Sequence, residues 1–110
     1  MVAVQHLVKL GWSIIERNWR CSLGEVDIIA HTPRPDPVLV FCEVKCRTGL
    51  GFGDPLEAIT YAKVVKLRQL ALTWLGECGR WVPHYRLDAI GVLLPRSGRP
   101  TITHVEGVGR

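Results

Sequence analysis

Residues 24–30, Gly24-Glu-Val-Asp-Ile-Ile-Ala30, and 38–47, Val38-Leu-Val-Phe-Cys-Glu-Val-Lys-Cys-Arg47, decide how this chain is read. Both runs are dominated by β-branched and aromatic residues of strand length. Strands covered on both faces rarely carry carboxylates, yet these carry Glu25, Asp27 and Glu43, with Lys45 and Arg47 following. Side chains alternate along a strand, so Glu25 and Asp27 are expected on one face, and Glu43, Lys45 and Arg47 on one face, successive members about 7 Å apart.

Between the runs lies Pro33-Arg-Pro-Asp-Pro37. Three prolines remove amide donors and fix the backbone, so this segment reads as a loop joining antiparallel strands. A five-residue loop sets Thr32 opposite Val38, which places Asp27 opposite Glu43 and Glu25 opposite Lys45. Opposed residues share a face at about 5 Å. Two carboxylates at that distance repel, and a hard cation such as Mg²⁺ or Mn²⁺ relieves the repulsion with the oxygen ligands it prefers. Lys45 beside them would position a water or help deprotonate it, and a bound metal would lower that water's pKa, as hydrolysis of a phosphodiester requires. The same residues also read as a cross-strand Glu25–Lys45 ion pair with Asp27 and Glu43 solvated. The pattern alone leaves both readings open.

Outward from this pair, Val4, Leu7, Val8 and Leu10 have helical spacing and Gly11 stops the run, which predicts a short first helix. Trp12 to Glu16 reads as a strand and Asn18 to Gly24 as a basic, irregular turn. Asp54-Pro55-Leu56-Glu57 supplies an N-cap, a first-turn proline and a capping-box glutamate. A long helix, broken at most once, is predicted from there to about Leu75, with Leu56, Ile59, Leu67, Leu70, Ala71 and Trp74 inward, Lys63, Lys66 and Arg68 elsewhere, and Gly76 and Gly79 ending it. Tyr85 to Leu94 and Thr101 to Val105 are further strands, separated by a turn at Pro95 to Pro100. The predicted order is α-β-β-β-α-β-β, a mixed sheet of about five strands flanked by helices.

The chain has 110 residues, 47% of them hydrophobic, which suits one domain, residues 1–110. No run of eighteen apolar residues occurs, and the N-terminus lacks the order of a secretory signal, so a soluble cytoplasmic protein with no membrane partner is expected. A net charge of +4 and a pI near 9.1 favour a polyanionic partner. Cys21, Cys42, Cys46 and Cys78 lack paired zinc-ligand spacing and are expected to be reduced and mostly buried. His6, His31, His84 and His104 are far apart in sequence and read as surface or packing residues. Trp12 and Trp74 fall in apolar stripes and read as core, whereas Trp19, between Arg17 and Arg20, reads as a candidate base contact. Asp88, in Arg86-Leu-Asp-Ala-Ile90, reads as a structural hydrogen-bond or ion-pair partner of a nearby arginine.

The motif order, GEVDIIA, a proline-rich gap, VFCEVKCRTG, GDPLEAI with Lys63 and Lys66, then RLDAIGV, resembles the YraN-type family of small bacterial proteins over about Leu7 to Gly107. The Asp followed by Glu-x-Lys is also similar to archaeal Holliday junction resolvases and restriction endonucleases, and the resemblance implies a restriction-endonuclease-like fold. It implies Asp27 and Glu43 as metal ligands, the Val44 carbonyl as a further ligand, Lys45 as the catalytic lysine, and Glu25 as a motif member that holds Lys45 or lines the substrate path. Arg20, Arg47, Lys63 and Lys66 are the expected phosphate contacts, and DNA the expected partner, with a homodimer as the prior for enzymes that cut two strands. Relatives carry a Gly-Glu pair early in the first helix, whose glutamate completes the metal site in this fold. Here no acidic residue precedes Glu16, so the resemblance implies either a site without that ligand or a start upstream of Met1. The leading expectation is a metal-dependent nuclease. A non-catalytic nucleic-acid-binding or assembly protein is the alternative, and a protein-binding module a third.

Overall fold

The computed structural model describes residues 1–48, 59–79, 82 and 84–109. Its elements are α1 (Val2–Lys9), β1 (Ser13–Cys21), β2 (Gly24–His31), β3 (Leu39–Arg47), α2 (Tyr61–Cys78), β4 (Tyr85–Leu93) and β5 (Thr101–Val105). The strands form one sheet in the order β1-β2-β3-β4-β5. All neighbours are antiparallel except β3 and β4. That pair is parallel because the chain returns to the starting end of the sheet through α2, and parallel neighbours need such a crossover. This is the predicted element order and the predicted mixed sheet between helices.

The sheet's two faces are covered by different helices. Ala3 and Leu7 of α1 pack with Trp12, Ile28, Ala30, Val40, Cys42, Ile90 and Val92. Leu67, Leu70, Ala71 and Trp74 of α2 pack with Val26, Ile29, Leu39, Phe41 and Leu87 on the other face. Alternation along β3 therefore serves both cores, which explains its nearly continuous apolar run. In α1 the inward positions are Ala3 and Leu7, whereas Val8 and Leu10, which shared the helical spacing, are about half exposed. One eight-residue helix covers only a narrow strip of the sheet.

One boundary differs from prediction. β1 does not end near Asn18 but continues to Cys21, pairing through Arg20↔Glu25 and Cys21↔Gly24. Asn18 takes a left-handed backbone, φ 54°, which asparagine tolerates, so a residue that looks like a turn is absorbed within the strand. The turn itself is only Ser22-Leu23. α2 begins at Tyr61, because Thr60 is extended and its hydroxyl accepts a hydrogen bond from the Lys63 amide at 3.3 Å, the geometry of an N-cap. Ile59 and Thr60 are not helical, and the predicted cap at Asp54-Pro55-Leu56-Glu57 lies outside the described residues. At the other end Gly76 is inside the helix and Gly79 closes it in the left-handed conformation, φ 63°.

The four cysteines are free as expected, but only Cys42 is buried; Cys21 is half-buried and Cys46 and Cys78 are exposed. Among the described residues no helix is long and apolar enough to cross a membrane.

Candidate functional site

The hairpin register is the predicted one at its closed end. The Thr32 amide donates to the Val38 carbonyl at 3.0 Å, and the Val38 amide donates to Thr32 Oγ1 at 2.8 Å. Pairing runs through His31↔Leu39, Ala30↔Val40 and Ile29↔Phe41 to Ile28↔Cys42, and stops. At that point Asp27 leaves the regular alternation. Gly24 lies beneath Leu70 and Lys66 of α2 and Val26 packs on the α2 face, whereas Ile28 and Ala30 pack on the α1 face. The Asp27 carboxylate turns into the gap between strands, where Oδ2 accepts the Val44 amide at 2.7 Å. A side chain thus replaces the ladder bond that Val44 would otherwise make.

The splay corrects one expected pairing. Glu25 is not opposite Lys45; it pairs with Arg20, Nε to Oε2 3.5 Å. Lys45 instead bonds Glu43 on its own strand, Nζ to Oε1 3.1 Å. Leu39 and Phe41 pack against α2, so alternation carries Glu43, Lys45 and Arg47 along the same side, and the Lys63 ammonium from the first turn of α2 lies against that of Lys45.

The charges are strongly coupled. Burial raises the Asp27 pKa above the ordinary carboxylate value, the Glu43 and Glu25 carboxylates raise it further, and the Val44 amide and Lys45 only partly oppose them. The hydrogen bond that Lys45 donates to Glu43 raises the Lys45 pKa, despite some desolvation, so Lys45 is an ammonium at neutral pH. Lys63 is lowered, chiefly by the charge of Lys45 beside it. Asp27 and Glu43 are the carboxylates with which a hard cation would be held here, and Val44 supplies the adjoining backbone. The donor chemistry fits such an ion, since a cation would favour the ionised form of a carboxylate whose pKa is raised by burial and then by Glu43 and Glu25. Among the described residues, however, no three His, Cys, Asp or Glu side chains are grouped to hold a metal.

The other expected contacts are dispersed around this seam. Arg20, Arg47, Lys63 and Lys66 are exposed, and the Lys66 stem lies over Gly24. Arg68 is drawn away, donating to the Gly109 carbonyl at 2.9 Å. Trp12 and Trp74 are core, and Trp19 is half-buried against the α2 cluster.

A second polar centre, one strand further on, surrounds Asp88. This carboxylate is fully buried and accepts from Arg86 Nε at 2.8 Å and Nη2 at 3.0 Å, from His104 Nε2 at 2.8 Å and from the Gly107 amide at 3.0 Å. The Arg86–Asp88 bond is the structural role expected of Asp88. The part played by His104 and His6 was missed, because their rings meet across 98 residues of sequence, Nε2 of His6 lying 3.3 Å from Nδ1 of His104. A local signal existed: in Thr101-Ile-Thr-His-Val105 the half-buried positions are Ile102 and His104, the alternation of a strand with a histidine on its inward face.

Comparison with known proteins accords with these motifs. A family model described as "Uncharacterised protein family UPF0102" matches residues 1–92. A UPF0102 protein of Nocardioides sp. (strain ATCC BAA-499 / JS614) is 44% identical over 108 residues, spanning 98% of this chain and 85% of its own. One of Mycobacterium avium (strain 104) is 48% identical over 109 residues, 98% of this chain and 84% of its own, and one of Mycobacterium sp. (strain KMS) is 50% identical over 108 residues, 97% and 78%. With the family model covering most of the chain and relatives sharing nearly half their residues along almost its whole length, this chain belongs to the UPF0102 family, the YraN-type group its motifs resemble.

Proposed function

We propose that this protein is a metal-dependent nuclease, or a close derivative of one, that hydrolyses phosphodiester bonds in DNA at the seam between β2 and β3. The observation that carries the reading is the Asp27 carboxylate, set in a break of the β2–β3 ladder and destabilised as an anion by burial and by Glu43 and Glu25. A structural aspartate is normally surrounded by enough donors to favour its ionised form; for Asp27 burial, and then the charges of Glu43 and Glu25, outweigh the Val44 amide and Lys45, and a bound cation would reverse that balance. Asp27 and Glu43 would hold Mg²⁺ or Mn²⁺. When bound, such an ion lowers the pKa of a water and offsets charge developing on a phosphodiester oxygen. Lys45, an ammonium donating from Nζ to Glu43, orients that carboxylate and supplies positive charge to the substrate phosphate. It does not act as the base in this state, because its proton is held too tightly. Arg20, Arg47, Lys63 and Lys66 supply sequence-independent contacts to the DNA backbone.

The test is cleavage of single-stranded, duplex and branched DNA with Mn²⁺ or Mg²⁺, by this chain, a version extended upstream with a first-helix glutamate, and their Lys45→Ala forms. We expect Lys45→Ala to lower cleavage by about a hundredfold or more, and Asp27→Ala with Glu43→Ala to abolish Mn²⁺ binding. Unchanged Mn²⁺ binding in those variants would overturn the assignment. The absence of a three-side-chain metal group among the described residues favours a second reading, a non-catalytic nucleic-acid-binding or assembly protein. Salt-dependent DNA binding that survives chelation and loss of Asp27, with no cleavage by any version, would establish it.

A further inference from the structure

The cluster around Asp88 takes no part in the chemistry proposed above, yet it ties three elements together. A carboxylate held ionised by Arg86 can only accept, so His104 must present an Nε2–H to it. The opposite nitrogen, Nδ1, faces Nε2 of His6 on α1 at 3.3 Å. That contact is a hydrogen bond only while it contains one proton. A neutral His104 accepts from His6, and a charged His104 donates to a neutral His6; with both rings charged, two N–H donors and two positive charges confront each other.

Among the described residues the surroundings offer no relief for a second charge. From β4 come Asp88, already saturated, and Arg86, itself a cation. Past the end of β5 comes Glu106, engaged by Arg86 at 3.6 Å. From the α1–β1 connection comes Trp12, whose ring meets His104 edge-on at 5.4 Å and lies 5.5 Å from the Arg86 guanidinium. On α1 itself the last turn contributes Lys9, another cation. Burial and the charge of His104 both push the His6 pKa below the ordinary histidine value.

We infer that the His6–His104 contact is a one-proton latch that ties α1 to the sheet and opens when mild acid adds a second proton to the pair. Its position links it to the seam. Ala3 and Leu7 of α1 are buried in the cluster that contains Ile28 and Cys42, and Val2 and Val44 pack against the same cluster. Val2, Ala3 and Val44 also line one small apolar cleft. Val44 is the residue whose amide Asp27 holds, so α1 backs the strand segment that positions Asp27. The latch stands on the histidine geometry alone; its bearing on catalysis rests on the reading of Asp27 given above.

The experiment is amide hydrogen exchange on the intact chain at about pH 7.5 and 5.5, corrected for intrinsic rates, for the parent and for His6→Gln. Glutamine retains an N–H donor for His104 Nδ1 but cannot take a second proton. In the parent, protection of the α1 amides is expected to fall by about tenfold on acidification, with the Val44 amide following, while His6→Gln shows a markedly smaller loss. Equal losses in the two proteins, no loss in the parent, or ring resonances of His6 titrating at the ordinary histidine value would each overturn the latch. No DNA or metal enters the measurement, so its outcome is independent of whether the seam is a nuclease site.

Discussion

Asp27 and Asp88 are aspartates on strands of the same sheet, two strands apart, and their surroundings are opposite. Asp88 is wholly buried, and burial alone would raise its pKa, but His104, Arg86 and the Gly107 amide together lower it below the ordinary value. Asp27 accepts one amide, and burial, followed by the charges of Glu43 and Glu25, raises its pKa. The first is a buried charge whose partners complete it and whose work is to join β4, β5 and the tail after it. The second is a charge that its partners among the described residues leave incomplete. A carboxylate buried with full coordination is part of the architecture; one whose ionised form is disfavoured where it sits is where the proposed cation would act.

That contrast can be broken most easily through stability. Asp88→Ala should cost about 3–5 kcal/mol, because it strands the Arg86 charge and the Gly107 amide inside the protein; urea unfolding that shows a loss below about 1 kcal/mol would mean that the network is dispensable. Asp27→Asn should leave stability within about 1 kcal/mol at neutral pH and tend to raise it, since the amide side chain still accepts from Val44 without the repulsion from Glu43 and Glu25. The pH dependence sharpens the difference, because the two shifts have opposite sign. The contribution of Asp88 is complete above the ordinary carboxylate range and is lost as pH falls through its lowered native pKa, so the cost of Asp88→Asn shrinks only in strong acid. Ionisation of Asp27 weakens the native state above its raised pKa, so any advantage of Asp27→Asn is present at neutral pH and vanishes once acid protonates the aspartate in the folded and unfolded chains. Unfolding curves for both variants across the acid range would show whether the slopes diverge. The smallest effect belongs to Arg20→Ala, whose partner is Glu25 in an exposed pair; it should change the unfolding free energy by less than about 0.5 kcal/mol.

Much of the site was legible because its information is local. The five-residue proline loop fixes which residues of β2 and β3 oppose one another, and the pairing does run in that register as far as Ile28↔Cys42. Extrapolating the same alternation past that point predicted Glu25 against Lys45, and failed. Asp27 inserts its own carboxylate into the ladder, and no counting rule anticipates a side chain replacing a backbone partner. The helix start at Thr60, whose hydroxyl accepts the Lys63 amide, was overshadowed in the sequence by the more conspicuous capping signal at Asp54. The turn expected from Asn18 failed for a related reason, since one left-handed residue bends a strand without ending it.

The order of elements, the inward faces of β3 and α2, and the candidate residues Asp27, Glu43 and Lys45 were determined by the sequence itself, through periodicity, turn chemistry and a motif whose members lie within twenty residues of one another. Two things were decided only by the folded chain. One is the splay between β2 and β3, which arises where Val26 packs on α2 and Ile28 on α1, so that competing cores pull one strand towards both faces. The other is the meeting of His6 with His104 and Asp88. It depends on α1 packing on the sheet face to which β5 turns Ile102 and His104, and long-range contacts of that kind follow from how apolar surfaces are shared between elements, which no local pattern encodes.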